Sequence, residues 1–279
     1  MDTTIPLERL TEAANRLEGL PTSLTRLTTL VASNDFRIEE VVEVISYDPV
    51  LTASLLRAAN SASSGATREI STVHEAVVRL GASTVCSLAM GATVGGRFRR
   101  CQLAPGVWVH SVAATIACEI VNFRSRVWVP AAAATAALLH DVGKLVLAEA
   151  LSPNILHRLE LVAAAESMTV DEAERAVLGI DHGELGAIAA QSWELPDVIV
   201  GGIANHHHIE RAESPLDWAV TLADAVAHSV TEDLAEARVP AAQAALGWLE
   251  LTENDYLDIV LATKERWDKV AEHYGATAS

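Results

Sequence analysis

The segment 136-AALLHDVGKLVL-147 sets a histidine and an aspartate, His140 and Asp141, side by side at the end of an apolar run. The run is rich in alanine and leucine and shows no strand-like alternation, so it predicts a buried helix. A helix C-terminus carries the negative end of the backbone dipole, which suits histidine but not aspartate. A carboxylate in that place needs a cation, and either a metal ion or the Lys144 ammonium would serve. Which of them does depends on what the rest of the chain brings to the pair.

The chain has 279 residues, half of them hydrophobic and only 4% aromatic. That length supports a real core, and that composition favours packed helices over sheets. The formal net charge of -17 disfavours general nucleic-acid binding and docking on anionic membranes, because both partners carry phosphate. Cys86, Cys101 and Cys118 are an odd number in apolar helical contexts, and read as reduced thiols without a disulfide framework. The N-terminus lacks the pattern of a signal peptide, and no apolar run is long enough to span a bilayer. A cytoplasmic protein is expected.

Helix signals run the length of the chain. Ile38, Val41, Val42 and Ile45 recur at helical spacing. "DPVLTASLLRAAN" offers Asp48 as a cap with Pro49 at the first helical position, and its Leu51, Leu55 and Ala58 face is expected to be buried. Thr72 with Glu75, Thr169 with Glu172, and Asp181 with Glu184 stand at capping-box spacing, and Gly81 and Gly179 read as stops. Pro196 opens another helix. Ser214 caps the next, with Pro215 just inside, and Thr252 caps a long final helix. No run of alternating strand pattern appears, so the fold class is all-α. Two soft boundaries interrupt the pattern, at "GGRFRRCQLAPG" (95–106) and "TEDLAEARVPAAQ" (231–243). They divide the chain into an N-terminal helical subdomain (1–102), a helical bundle (103–232) and a C-terminal helical extension (233–279). The basic cluster Arg97, Arg99 and Arg100 reads as a solvated linker, or as a contact for an acidic partner.

The opening pair has company: His110, His182, His206, His207 and Asp224 also fall at suggestive places. Each alone has an ordinary explanation. His110 fits a hydrogen-bonded core histidine, His182 a surface residue near a helix start, and "NHHH" a solvated helix end. Asp224 is different, since Leu222, Ala223, Ala225 and Val226 flank it and a buried charge demands a partner. Jointly, neutral imidazoles and carboxylates in one pocket have few uses besides holding a metal. Which two of His206, His207 and His208 face inward stays open.

The ordered pattern H…HD…H…HH…D resembles the HD superfamily of metal-dependent phosphohydrolases. "LPTSLTRL", "DPVLTASLLRAANSAS", "ISTVHEAVVRLG", "ALLHDVGKLVL", "GIDHGELGAIAAQSWELPDVIV" and "NHHHI" together resemble the HDOD family, the HD-related output domain of bacterial signalling proteins. The resemblance implies an N-terminal helical subdomain packed on an HD-like bundle. It implies His110, His140, Asp141 and Asp224 as the basic metal set. His182, His206 and His207 match the added ligands of two-metal relatives, in which the HD aspartate bridges both ions. Lys144 matches a lysine near the phosphate, so Asp141 and Lys144 are the candidate catalytic pair. One or two divalent ions are implied, with iron, manganese or zinc favoured by the ligand chemistry.

The same residues support two functions of different classes. The first is a signalling module that acts mainly through contacts with a partner protein, or with a second copy of the chain. The second is a phosphohydrolase acting on a nucleotide or cyclic nucleotide, since a metal-bound water can attack phosphorus in line. HDOD domains are generally regarded as regulatory, which favours the first. After "NHHH" the sequence continues "IERAESPLDW", without the Gly-Tyr-Pro loop of the related cyclic-di-GMP phosphodiesterases, and that argues against this substrate.

Overall fold

The computed structural model describes residues 6–17, 19–33, 35–46, 49–60, 70–100, 105–231 and 239–270, and among these every regular element is a helix. Six helices come first: α1 (Leu7–Arg16), α2 (Thr22–Ser33), α3 (Ile38–Ser46), α4 (Pro49–Ala59), α5 (Val73–Leu80) and α6 (Ala82–Arg100). Eight more complete the middle of the chain: α7 (Pro105–Arg124), α8 (Ala133–Leu139), α9 (Val142–Ala150), α10 (Pro153–Glu166), α11 (Val170–Leu178), α12 (His182–Ser192), α13 (Asp197–Asn205) and α14 (Pro215–Thr231). The chain then forms α15 (Val239–Trp248) and α16 (Glu253–Val270).

Local chemistry sets many of these ends. The Thr72 hydroxyl accepts the Glu75 N–H at 3.2 Å, and α5 stops at Gly81, whose φ of +80° only glycine adopts cheaply. Thr169 and Glu172 form a reciprocal capping box on α11, closed by Gly179 at φ +77°. Asp181 accepts the Glu184 N–H at 2.9 Å, and Ser214 and Thr252 cap α14 and α16 in the same way. Pro196 is the cap of α13, one residue before the helix proper. Asp48 lies outside the described residues, as does Cys101.

Two expectations are corrected. The segment around His140 and Asp141 is not one helix ending on the pair. α8 stops at Leu139, and α9 begins at Val142 with Asp141 in its N-cap position. Asp141 therefore meets the positive end of a helix dipole, where a carboxylate is favoured. The second correction concerns residues 95 to 100, where a break was expected and α6 continues to Arg100. Its glycine has a packing role: a Cβ at Gly95 would lie 2.5 Å from the buried Trp108 ring, so glycine lets the indole sit on the helix backbone. The side chains of Arg97, Arg99 and Arg100 lie outside the described residues.

α7 and α14 form the centre, with α8 and α13 packed beside them and α12 joining α13 to α9. α15 packs on α14, and α16 on both α7 and α14. α2 to α6 form a second helical layer that reaches the first through contacts of α6 with α7 and α8. Leu24, Leu27, Val41, Ile45, Leu51, Leu55, Val77 and Met90 are buried in the second layer. Ala59 reaches the inside of α4, while Ala58 is half-buried. α1 lies apart from its sequence neighbours, against α9 and α12. α7 is long and apolar enough to cross a membrane by length and composition, but more than half of that stretch is buried inside the molecule. Cys86 and Cys118 are buried free thiols, and burial pushes Cys86 up to about 12, which keeps it protonated and inert.

One close approach shapes the interior of the bundle. A Cβ at Gly143 would fall 1.8 Å from the His182 carbonyl oxygen and 2.7 Å from the Gly186 nitrogen. Only a glycine lets the start of α9 touch the backbone of α12. That contact brings Asp141 and His182 together.

Candidate metal centre

Six helices and their ends converge on one point inside the bundle. α7 carries His110 in its first turns, and the α8–α9 joint supplies His140 and Asp141. α12 begins with His182, the end of α13 supplies His206 and His207, and α14 supplies Asp224. The structure gathers all seven residues singled out in the sequence.

Two groups share Asp141, one with His110 and His140 and one with His182, His206 and His207, and Asp224 adjoins the first through His110. In the first, His110 Nε2 lies 2.9 Å from Asp224 Oδ1 and 3.2 Å from His140 Nε2. His140 Nε2 is 3.5 Å from the same Asp224 oxygen and 3.6 Å from Asp141 Oδ2. In the second, His182 Nε2 is 3.2 Å from Asp141 Oδ1 and 3.0 Å from His207 Nε2. The His206 ring packs on His207 with centroids 3.8 Å apart. Of the three adjacent histidines, His206 and His207 face this cluster. His208 turns instead to Asp181, at 2.8 Å, and Arg175 contacts both.

Backbone carbonyls orient two of the rings. His140 Nδ1 lies 2.6 Å from the Ala137 carbonyl and His206 Nδ1 lies 2.7 Å from that of Ile203. A carbonyl only accepts, so each Nδ1 bears the proton and, in the neutral ring, Nε2 is left with a bare lone pair. His206 Nε2 is buried without a hydrogen-bond partner, an uncommon and costly state for a native side chain. Donor atoms around one divalent ion, each about 2.1 Å from it, stand about 3.0–3.4 Å apart. The six Nε2 contacts above run from 2.9 to 3.6 Å, at or near that spacing, while His110 Nε2 stands 4.0 Å from Asp141 Oδ2. These residues fit a divalent ion in chemistry and in separation.

Electrostatics agree with the geometry. Burial opposes the Asp141 charge, but Lys144, His140 and His182 outweigh it and hold the carboxyl well below its usual range. Lys144 Nζ donates to Asp141 Oδ2 at 2.8 Å, so the ammonium is in place as one cation beside the carboxylate. Burial, with His140 and His182 adding to it, holds His206 neutral. Burial likewise depresses His110 against the pull of Asp224. His182 behaves oppositely: burial lowers it, but Glu174 and then Asp141 raise it to about 9.

Two residues at the centre escaped the sequence reading. Glu174 is buried, and its Oε2 accepts both the His182 backbone N–H at 2.8 Å and the Nδ1–H at 2.7 Å. That bond turns His182 Nε2 toward Asp141. Its only sequence signal is a glutamate on the inner side of α11, where a solvated charge is the default. His228 lies 3.3 Å from Asp224 Oδ1, four residues on along α14.

Comparison with known proteins adds the relationship. The family model "HDOD domain" matches residues 17–209. An HDOD domain protein of unknown function from Geobacter sulfurreducens aligns over 97% of this chain and 96% of its own, with a TM-score of 0.68 and 23% identity. A protein provisionally named a phosphohydrolase, from Shewanella amazonensis SB2B, aligns over 94% of this chain and 97% of its own, with a TM-score of 0.68 and 27% identity. An uncharacterized protein of Treponema pallidum (strain Nichols) is 25% identical over 198 residues, 69% of this chain and 38% of that protein. The chain thus spans under two fifths of the length of that curated relative. With a family model covering more than half of its residues and an all-helical fold shared with a solved HDOD structure, the chain belongs to the HDOD family.

Proposed function

We propose that this HDOD chain is a signalling module that holds divalent cations in an HD-type centre and acts through contacts with a partner protein. Burial of the centre supports this reading above all. The side chains of His110, His140, Asp141, His182, His207 and Asp224 are each at most 4% exposed, and His206 is 1% exposed. Lys144, about a quarter exposed, lies against Asp141 and spends its charge inside the protein. A donor set this enclosed suits an ion that ties six helices together, as closed structural sites do. The ligands would be His110, His140, Asp141 and Asp224 in one group and Asp141, His182, His206 and His207 in the other. Imidazole-rich sites of this kind favour iron, manganese or zinc.

A second reading, a phosphohydrolase acting on a nucleotide, is favoured by the completeness of the donor set and by Asp141 standing between the two groups. It also agrees with the description given to the Shewanella relative. A divalent ion there would supply Lewis-acid activation of a water and of a phosphate oxygen. For the chain's own residues, that reading assigns Asp141 to holding the attacking water's site and Lys144 to the phosphate.

One experiment separates the two. Protein purified without chelators is assayed for bound metal, then screened for phosphate release from nucleotides and cyclic nucleotides beside Asp141→Ala. The module reading expects metal in the wild type, loss of it in the variant, and no turnover in either. Turnover that vanishes in Asp141→Ala would replace it with the hydrolase. Wild-type protein free of metal, and unable to take it up, would remove both.

A further inference from the structure

His228 stands beside the first donor group, outside both the seven-residue pattern and the segment matched by the family model. It is four residues beyond Asp224 on α14, so the two side chains share a face of the helix. Its Nε2 lies 3.3 Å from Asp224 Oδ1. The same oxygen is 2.9 Å from His110 Nε2 and 3.5 Å from His140 Nε2. Three imidazole nitrogens thus surround one carboxylate oxygen. The rings of His110 and His228 are 4.3 Å apart at 45°. The donor atoms of His110, Asp224 and His228 lie close enough together to serve one ion.

We infer that His228 is a further protein ligand of the first cation position, where it joins His110 and Asp224. The inference rests on the proposal that the centre holds cations, and extends it. Its consequence is chemical. Hydrolytic metal sites leave one position open for water or substrate, whereas structural sites close it with protein donors. At 15% exposed, against at most 4% for its neighbours, His228 is the member of this group that borders solvent. It fills the place where a water would enter.

The alternative is that His228 only hydrogen-bonds Asp224 within α14. Manganese(II) distinguishes the two, because the water-proton relaxivity of the bound ion counts its coordinated waters. Wild type, His228→Ala and His228→Gln are loaded with manganese(II), and bound ion per chain is measured in each. Glutamine keeps a donor for Asp224 but is a poor replacement for an imidazole ligand. Both variants are expected to gain the relaxivity of one coordinated water, and added imidazole should cancel that gain in His228→Ala. Should the alanine variant fail to fold, the glutamine variant decides. Equal relaxivity in all three proteins, with manganese bound, would reduce His228 to a helix hydrogen bond and leave the cation reading standing. Wild type that takes up neither manganese nor any other divalent ion would overturn the cation reading itself.

Discussion

At the scale of single residues, the centre depends on partners that orient His140, His182 and His206. Glu174 shows this best. Its carboxylate holds the Nδ1–H of His182 and sets the direction of Nε2. Outer partners of this kind commonly contribute tenfold to a hundredfold to metal affinity. Glu174→Gln should weaken metal binding by about that factor, measured by competition with a chelator; an unchanged affinity would remove Glu174 from the site. The charge on His182 has a second consequence. Without an ion its pKa is raised to about 9, after burial is overcome by Glu174 and Asp141. A raised pKa means that the ring is protonated at pH 7.5, and a ligand must give that proton up. Metal uptake at pH 7.5 should therefore release a proton, read by calorimetry in buffers of differing ionisation enthalpy. The release should shrink in Glu174→Gln, because the charge that raises His182 is gone. Heat independent of the buffer in the wild type would contradict the assignment. None of this was visible in "TVDEAERAVLG", where Glu174 looks like any charge on an amphipathic helix. Adjacency hid the choice among His206, His207 and His208 in the same way, until a turn sent His208 to Asp181.

At the scale of helices, sequence rules worked where a helix is governed by its own ends. The caps at Thr72, Thr169, Asp181, Ser214 and Thr252 are short-range hydrogen bonds, and all are present. The rules failed where packing governs. Gly95 looked like a break but serves Trp108, and the HD pair looked like a terminus but is a joint. Gly143 makes that joint possible. Gly143→Ala would drive a methyl into the backbone of α12, where no side chain can give way. Overpacking usually costs about 1–3 kcal/mol, and this backbone clash should reach the top of that range or exceed it. Denaturant unfolding measures it, and a loss below about 1 kcal/mol would show that α9 and α12 are not in contact. In the other layer, Leu55 of α4 is 4% exposed. Leu55→Ala should cost about 2–5 kcal/mol by the same measurement; a cost near zero would contradict its burial.

At the scale of the whole molecule, the centre joins α7, the α8–α9 joint, α12, α13 and α14. An ion bound there stabilises the folded state by linkage, about 2.7 kcal/mol when free metal stands at a hundred times Kd. Stripping the metal should then lower Tm on the order of 5 °C or more, and Asp141→Ala should melt alike with and without chelator. A wild-type melting curve indifferent to chelation would deny the ion this role. The sequence by itself determined the all-helical class, most helix ends and the seven side chains of the centre. These come from composition, short-range capping, and the resemblance of the ordered histidines and aspartates to the HDOD pattern. Only the tertiary structure decided that Asp141 starts a helix, that His208 turns away, and that Glu174 and His228 stand beside the seven gathered side chains. Those features depend on contacts between helices distant in sequence, and the direction of a buried side chain is set by the neighbours that surround it.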